Sequence, residues 1–80
     1  MRLPRELSGN DLAHTLRKLG YQVTRQSGSH LRLTTQQHGE HHVTIPQHNP
    51  LRIGTLSGIL ADIATHFEVS RDELAEKLFG

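Results

Sequence analysis

The stretch that decides the fold is residues 21–46, read as three pieces: Tyr21-Gln22-Val23-Thr24-Arg25, His30-Leu31-Arg32-Leu33-Thr34 and His42-Val43-Thr44-Ile45-Pro46. In each piece apolar and polar residues alternate, the period of a strand with one buried face. Tyr21 and Val23 share a side, as do Leu31 and Leu33, and Val43 and Ile45. His30 and Arg32 take the opposite side of the middle strand. Ser27-Gly28-Ser29 supplies a turn between the first two strands, and the polar run Gln36-Gln37-His38-Gly39-Glu40 connects the second to the third. Alternation of this kind predicts an antiparallel three-stranded meander with one wet face.

A sheet that is apolar on one side needs a cover, and helical periods flank it on both sides. Upstream, Ser8 and Asp11 stand at capping-box spacing, Leu12, Ala13, Leu16 and Leu19 follow at helical intervals, and Gly20 sits where a left-handed cap closes a helix. Downstream of the loop Pro46–Pro50, Leu56, Ile59, Leu60, Ile63, Ala64 and Phe67 form the strongest amphipathic pattern in the chain, with Thr55 as its expected N-cap. Ser70 and Glu73 make a second capping box for a short last helix carrying Leu74, Leu78 and Phe79. The fold class is therefore α+β: α-β-β-β-α with a three-stranded antiparallel sheet and a short extra C-terminal helix.

With 80 residues and 34% hydrophobic content, one domain spanning 1–80 is expected, with a thin core that a partner or weak self-association would help to stabilise. The absence of cysteine excludes disulfides and thiolate metal sites. No apolar run is long enough for a membrane span, and Met1-Arg2-Leu3-Pro4-Arg5-Glu6 lacks a signal-peptide core, so no membrane association and a cytoplasmic location are expected. The net charge of +1 conceals an asymmetry: residues 1–54 hold seven Lys/Arg against three Asp/Glu, and residues 55–80 hold two against five. The basic part suits a polyanion.

On the wet face, His30 and Arg32 stand with His42 and Thr44 expected beside them, and Arg25 precedes the turn. A cationic, hydroxyl-rich patch around an imidazole suits a phosphodiester. RNA brings its own nucleophile, the 2′-hydroxyl, so cleavage needs a proton acceptor, a proton donor and positive charge for the phosphorane. Histidine can serve in either proton role near neutrality, and Arg side chains and turn amides can hold phosphate. Spacing alone leaves an idle surface histidine as the alternative for His30. Seven histidines raise the question of metal. However, His41 and His42 are adjacent on a strand and face opposite ways, and His38-x-x-His41 has no partner pair, so neither a metal site nor a cofactor is expected.

Beyond these patterns, Ser8-Gly9-x-x-Leu12, Leu19-Gly20-Tyr21, Arg25-Gln26-Ser27-Gly28-Ser29-His30, Val43-Thr44-Ile45-Pro46-x-His48 and Gly54-Thr55-Leu56-x-x-Ile59-Leu60 occur in one order. Over roughly residues 7–64 the chain resembles the HicA, or YcfA-like, toxins of type II toxin–antitoxin modules. The resemblance implies a fold like the double-stranded-RNA-binding domain and an mRNA-cleaving ribonuclease that inhibits translation in a stress response. It makes His30, in the Gly-Ser-His motif, the essential catalytic residue, and implies a HicB-like antitoxin masking the His30 face. In that setting Ser27, Ser29 and the Gly28–Ser29 amides would orient RNA phosphate, Arg25 and Arg32 would neutralise it, and His48 could add a second proton-transfer group or merely stabilise its loop. A non-catalytic RNA-binding or antitoxin-binding module is the alternative. The chain departs from the family in its acidic extension, residues 65–80, expected to complete the core or meet a protein, and in its scarcity of lysine near the motif.

Overall fold

A computed structural model describes residues 3–80; Met1 and Arg2, used above for the leader and charge readings, lie outside the described residues. The elements run α1 (Gly9–Thr15), a 3-10 turn (Leu16–Leu19), β1 (Gln22–Ser27), β2 (His30–Thr35), β3 (His41–Pro46), α2 (Ile53–Phe67) and α3 (Arg71–Phe79). The three strands form one open antiparallel sheet in the order β1-β2-β3. Both capping boxes form. The Ser8 hydroxyl accepts from the Asp11 N–H at 3.0 Å, and Ser70 accepts from the Glu73 N–H at 3.1 Å.

The core lies between one face of the sheet and the helices. Leu12, Leu16, Tyr21, Leu33, Ile45, Leu56, Leu60, Ile63, Leu74 and Leu78 are all essentially inaccessible to solvent. Leu74 and Leu78 belong to α3, so the extension beyond residue 64 completes the core, and Lys18 Nζ donates to the Leu78 carbonyl at 3.0 Å. Thr35 is the one buried polar residue among those described; its hydroxyl donates to the Leu19 carbonyl at 2.7 Å and accepts from the Gln37 N–H at 3.1 Å. Satisfied on both sides, it does not penalise burial.

Three expectations need correction. Thr55 does not cap α2: the helix begins at Ile53, with Arg52 as an extended N-cap that makes no side-chain bond. The preceding Leu51 is buried and its N–H donates to the Leu7 carbonyl at 2.8 Å, and that anchor sets where the helix starts. Val23 is not buried with Tyr21 but 52% exposed. It pairs with the buried Leu33 on an edge strand whose every residue is exposed, because the helices pack toward the β3 side of the sheet and leave the β1 edge bare. His42 does not stand beside His30, as the register below shows.

Candidate functional site

The tightest local constraint is at the β1–β2 hairpin. Ser27 pairs with His30, leaving Gly28 and Ser29 as a two-residue loop. Gly28 has φ +57° and Ser29 is not left-handed, the combination of a type II′ hairpin turn. A Cβ on Gly28 would meet nothing within 4 Å, so the backbone conformation, not crowding, calls for glycine here.

The turn is clamped from below. The Gln47 N–H donates to the Ser29 carbonyl at 2.7 Å. The Gln47 side chain bridges two further elements: its Oε1 accepts from Gln26 Nε2 at 3.1 Å, and its Nε2 donates to Asn10 Oδ1 at 2.9 Å. The N-terminus of α1 sits on the same segment. The Gly9 N–H donates to the His48 carbonyl at 2.9 Å, and any side chain at Gly9 would run into the Pro46 carbonyl. Gly9 and Gly28 are thus both glycine for reasons local to this corner, one for approach and one for φ.

The clamped hairpin presents His30 on the open face. His30 pairs with Ser27 on one side and Pro46 on the other; Arg32, two residues along, pairs with Arg25 and Thr44. Arg25, Ser27, His30, Arg32 and Thr44 together line a shallow concavity of about 180 Å³, and all five are exposed. The register that collects them includes a bulge between Val23 and Arg25. Alternation already sets Thr24 on the wet face, where its hydroxyl lies 2.9 Å from that of Thr34, and the bulge puts Arg25 on that face too. Among the described residues the ion pairs involve only His38, His41 and His42, so no carboxylate lies at ion-pair distance from Arg25 or Arg32, although Glu40 is near enough to feel the Arg32 charge. Two guanidiniums, two hydroxyls and an imidazole share one open surface, a surface suited to an anion.

His42 belongs elsewhere. It pairs with Thr34, with Nδ1 2.7 Å from the Thr34 hydroxyl and Nε2 3.1 Å from Glu40, well along the sheet from His30. Hydrogen bonds from Gln36 and then His42 hold the Glu40 carboxyl below its ordinary range. His48 is exposed; its carbonyl holds α1, and its ring does not line the concavity.

A second group of histidines had no signal in the sequence, because residues 38, 41 and 66 converge only in the fold. The His41 and His66 rings stack with centroids 4.4 Å apart, and His38 meets His66 edge-on at 6.0 Å. Burial, and then the charge of Asp62, push the Tyr21 phenol well above its ordinary 10.0. Its hydroxyl keeps its proton and lies 2.8 Å from His41 Nδ1, while His41 Nε2 lies 3.3 Å from Asp62 Oδ1. His66 Nε2 donates to the Gln37 carbonyl at 3.0 Å. These contacts fasten the end of α2 to the β2–β3 connection. Among the described residues no group of three or more His, Asp or Glu is arranged to hold a metal ion.

No curated protein and no solved structure matches the chain. Residues 9–64 match the family described as the HicA toxin of bacterial toxin–antitoxin systems. That span takes in the clamped turn, His30, all five concavity residues and most of α2. Covering well over half of the sequence, the match shows that this chain belongs to the HicA toxin family.

Proposed function

We propose that the chain is a metal-independent endoribonuclease that cleaves mRNA in the cytoplasm and thereby inhibits translation, and that a HicB-like antitoxin restrains it by covering the His30 face. The observation that supports this reading is the concavity itself: His30 stands with Arg25 and Arg32, neither with a carboxylate at ion-pair distance among the described residues, and with the hydroxyls of Ser27 and Thr44. His30 takes the proton of the RNA 2′-hydroxyl. The 2′-oxygen forms its bond to phosphorus, the bond from phosphorus to the 5′-oxygen breaks, and that oxygen takes up a proton from water while His30 returns its own to the solvent. The products are a 2′,3′-cyclic phosphate and a 5′-hydroxyl end. Arg25 and Arg32 stabilise the charge that builds on the phosphorane, while Ser27, Ser29 and the turn amides orient the phosphate. Clamping by Gln47 holds the turn in the geometry the reaction needs. His48 is assigned no proton transfer, since its ring lies outside the concavity.

The grip is on the sugar–phosphate backbone. Tyr21 is buried, and Phe67 and Phe79 pack against the core, so the sheet face has no aromatic platform for bases. The test is cleavage of mRNA by purified protein in the presence of EDTA, beside His30→Ala. Wild-type cleavage that the substitution abolishes, with RNA binding retained, is the expected result. Unchanged cleavage by the variant would overturn the role of His30; binding by wild type without cleavage would make the chain a binding module.

A further inference from the structure

We infer that the open edge of β1, together with the slot beside it, is a docking site for an extended protein segment in which acidic and apolar residues alternate. The inference deepens the antitoxin part of the reading above and rests on it for the identity of the partner.

Three observations converge on this edge. First, β1 is an outer strand whose six residues are all exposed. Its outward N–H and C=O groups face no strand. Edge strands are usually blunted by lysine, proline or a bulge; β1 has neither lysine nor proline, and its single bulge lies at Thr24. Second, a slot of about 420 Å³ runs between α1 and β1, with Ala13, Tyr21 and Leu31 among its lining and the half-exposed Val23 beside it. Third, the permanently charged side chains at this edge are cations. Arg17 and His14 line the slot, Arg25 lies along the strand, and among the described residues none of the three has a carboxylate at ion-pair distance.

A strand added here would project side chains alternately to the two sides of the sheet. Those on the helix side enter the slot against Val23 and Leu31, where apolar residues fit. Those on the other side meet Arg25, where carboxylates fit. A second copy of this chain is disfavoured as the occupant, because it would bring Arg17 and Arg25 against a strand that carries the same positive charge. A segment seated on β1 would also take Arg25 away from the His30 concavity, so docking at the edge would weaken the hold on phosphate without touching His30 itself.

The test uses a short end-capped peptide of alternating glutamate and valine, a lysine–valine counterpart, and backbone amide NMR of the whole chain. The expected result is that the glutamate peptide shifts the amides of residues 22–27 and slows their exchange, while the lysine peptide does not. Val23→Lys, an exposed position that leaves folding intact, should weaken binding about tenfold, the loss of one modest apolar anchor, while RNA cleavage stays at the wild-type level. Equal binding of both peptides, perturbation elsewhere, or no binding overturns the inference. A concentration-dependent dimer that Val23→Lys dissolves also overturns it, by making a second copy the occupant. If the glutamate peptide protects β1 but wild-type protein cleaves no RNA, the ribonuclease reading fails and the docking edge stands.

Discussion

Arg25 and Arg32 are direct cross-strand partners in the β1–β2 pair, two cations facing each other across the open side of the sheet. Like charges in that arrangement cost stability. Replacing Arg25 with threonine, a good strand residue, should therefore raise stability by about 0.5 kcal/mol in chemical denaturation. The same change should weaken RNA binding and lower the slope of log affinity against log salt by about 0.7, the release of one counterion from a single strand. A variant that is both less stable and unchanged in salt dependence would count against an anion site at this pair.

Gly9 offers a test of the corner that supports the hairpin. A side chain there would run into the Pro46 carbonyl and press on Gln47 Cα at 3.0 Å. Gly9→Ala should destabilise the protein by about 1–3 kcal/mol, the usual range for overpacking, and should loosen the Gln47–Ser29 bond, visible as faster exchange of the Gln47 amide. Gly28→Ala meets no neighbour and should cost only about 1–2 kcal/mol from the left-handed backbone. Its effect should appear in the turn and not in α1.

Tyr21 sets the response to alkali. Its folded pKa lies above the ordinary 10.0 because burial, and then Asp62, disfavour the phenolate. Below pH 10 both folded and unfolded chains keep the proton, and the group contributes no slope. Above it, the unfolded chain ionises first, so stability falls as pH rises toward the folded value. Tyr21→Phe should flatten that alkaline slope in denaturation midpoints measured from pH 9 upward, while lowering stability near neutrality through loss of the bond to His41. An unchanged slope would mean that Tyr21 is not the group responsible.

The extension after residue 64 is part of the core. Leu74 is 1% exposed and packs in the same cluster as Leu12 and Ile63. Leu74→Ala should cost about 2–5 kcal/mol in thermal or urea unfolding, although it lies outside the span matched to the family. A loss near zero would make α3 a detachable appendage.

What the sequence made legible was whatever depends on neighbours along the chain. Ser8 with Asp11 and Ser70 with Glu73 announce helix starts, and the capping boxes form as spaced. Gly28 before Ser29 announces a tight turn, and the alternation in β2 and β3 is preserved as burial. What failed depends on register and on tertiary cover. Thr55 has the chemistry of a cap, but the anchoring of Leu51 to Leu7 starts the helix earlier. Val23 has the alternation of a buried residue, but no helix reaches that edge. His42 has the right parity to join His30, but the pairing places it against Thr34. Arg25 reaches the same face as His30 and Arg32 through a bulge that no local pattern encodes. The close approach at Gly9 and the convergence of His38, His41 and His66 likewise exist only once distant segments meet.

The bond from the Gln47 N–H to the Ser29 carbonyl, with the amide bridge from Gln26 to Asn10 beneath it, has a consequence for control. A turn fastened on both flanks is held in place by the fold itself. Under the proposed activity, a site held this way needs no partner to assemble it. Its output, under the proposed activity, follows the number of copies left uncovered, so restraint becomes a matter of stoichiometry. A partner must be made in at least equal amount, and must last at least as long, for the chain to stay silent.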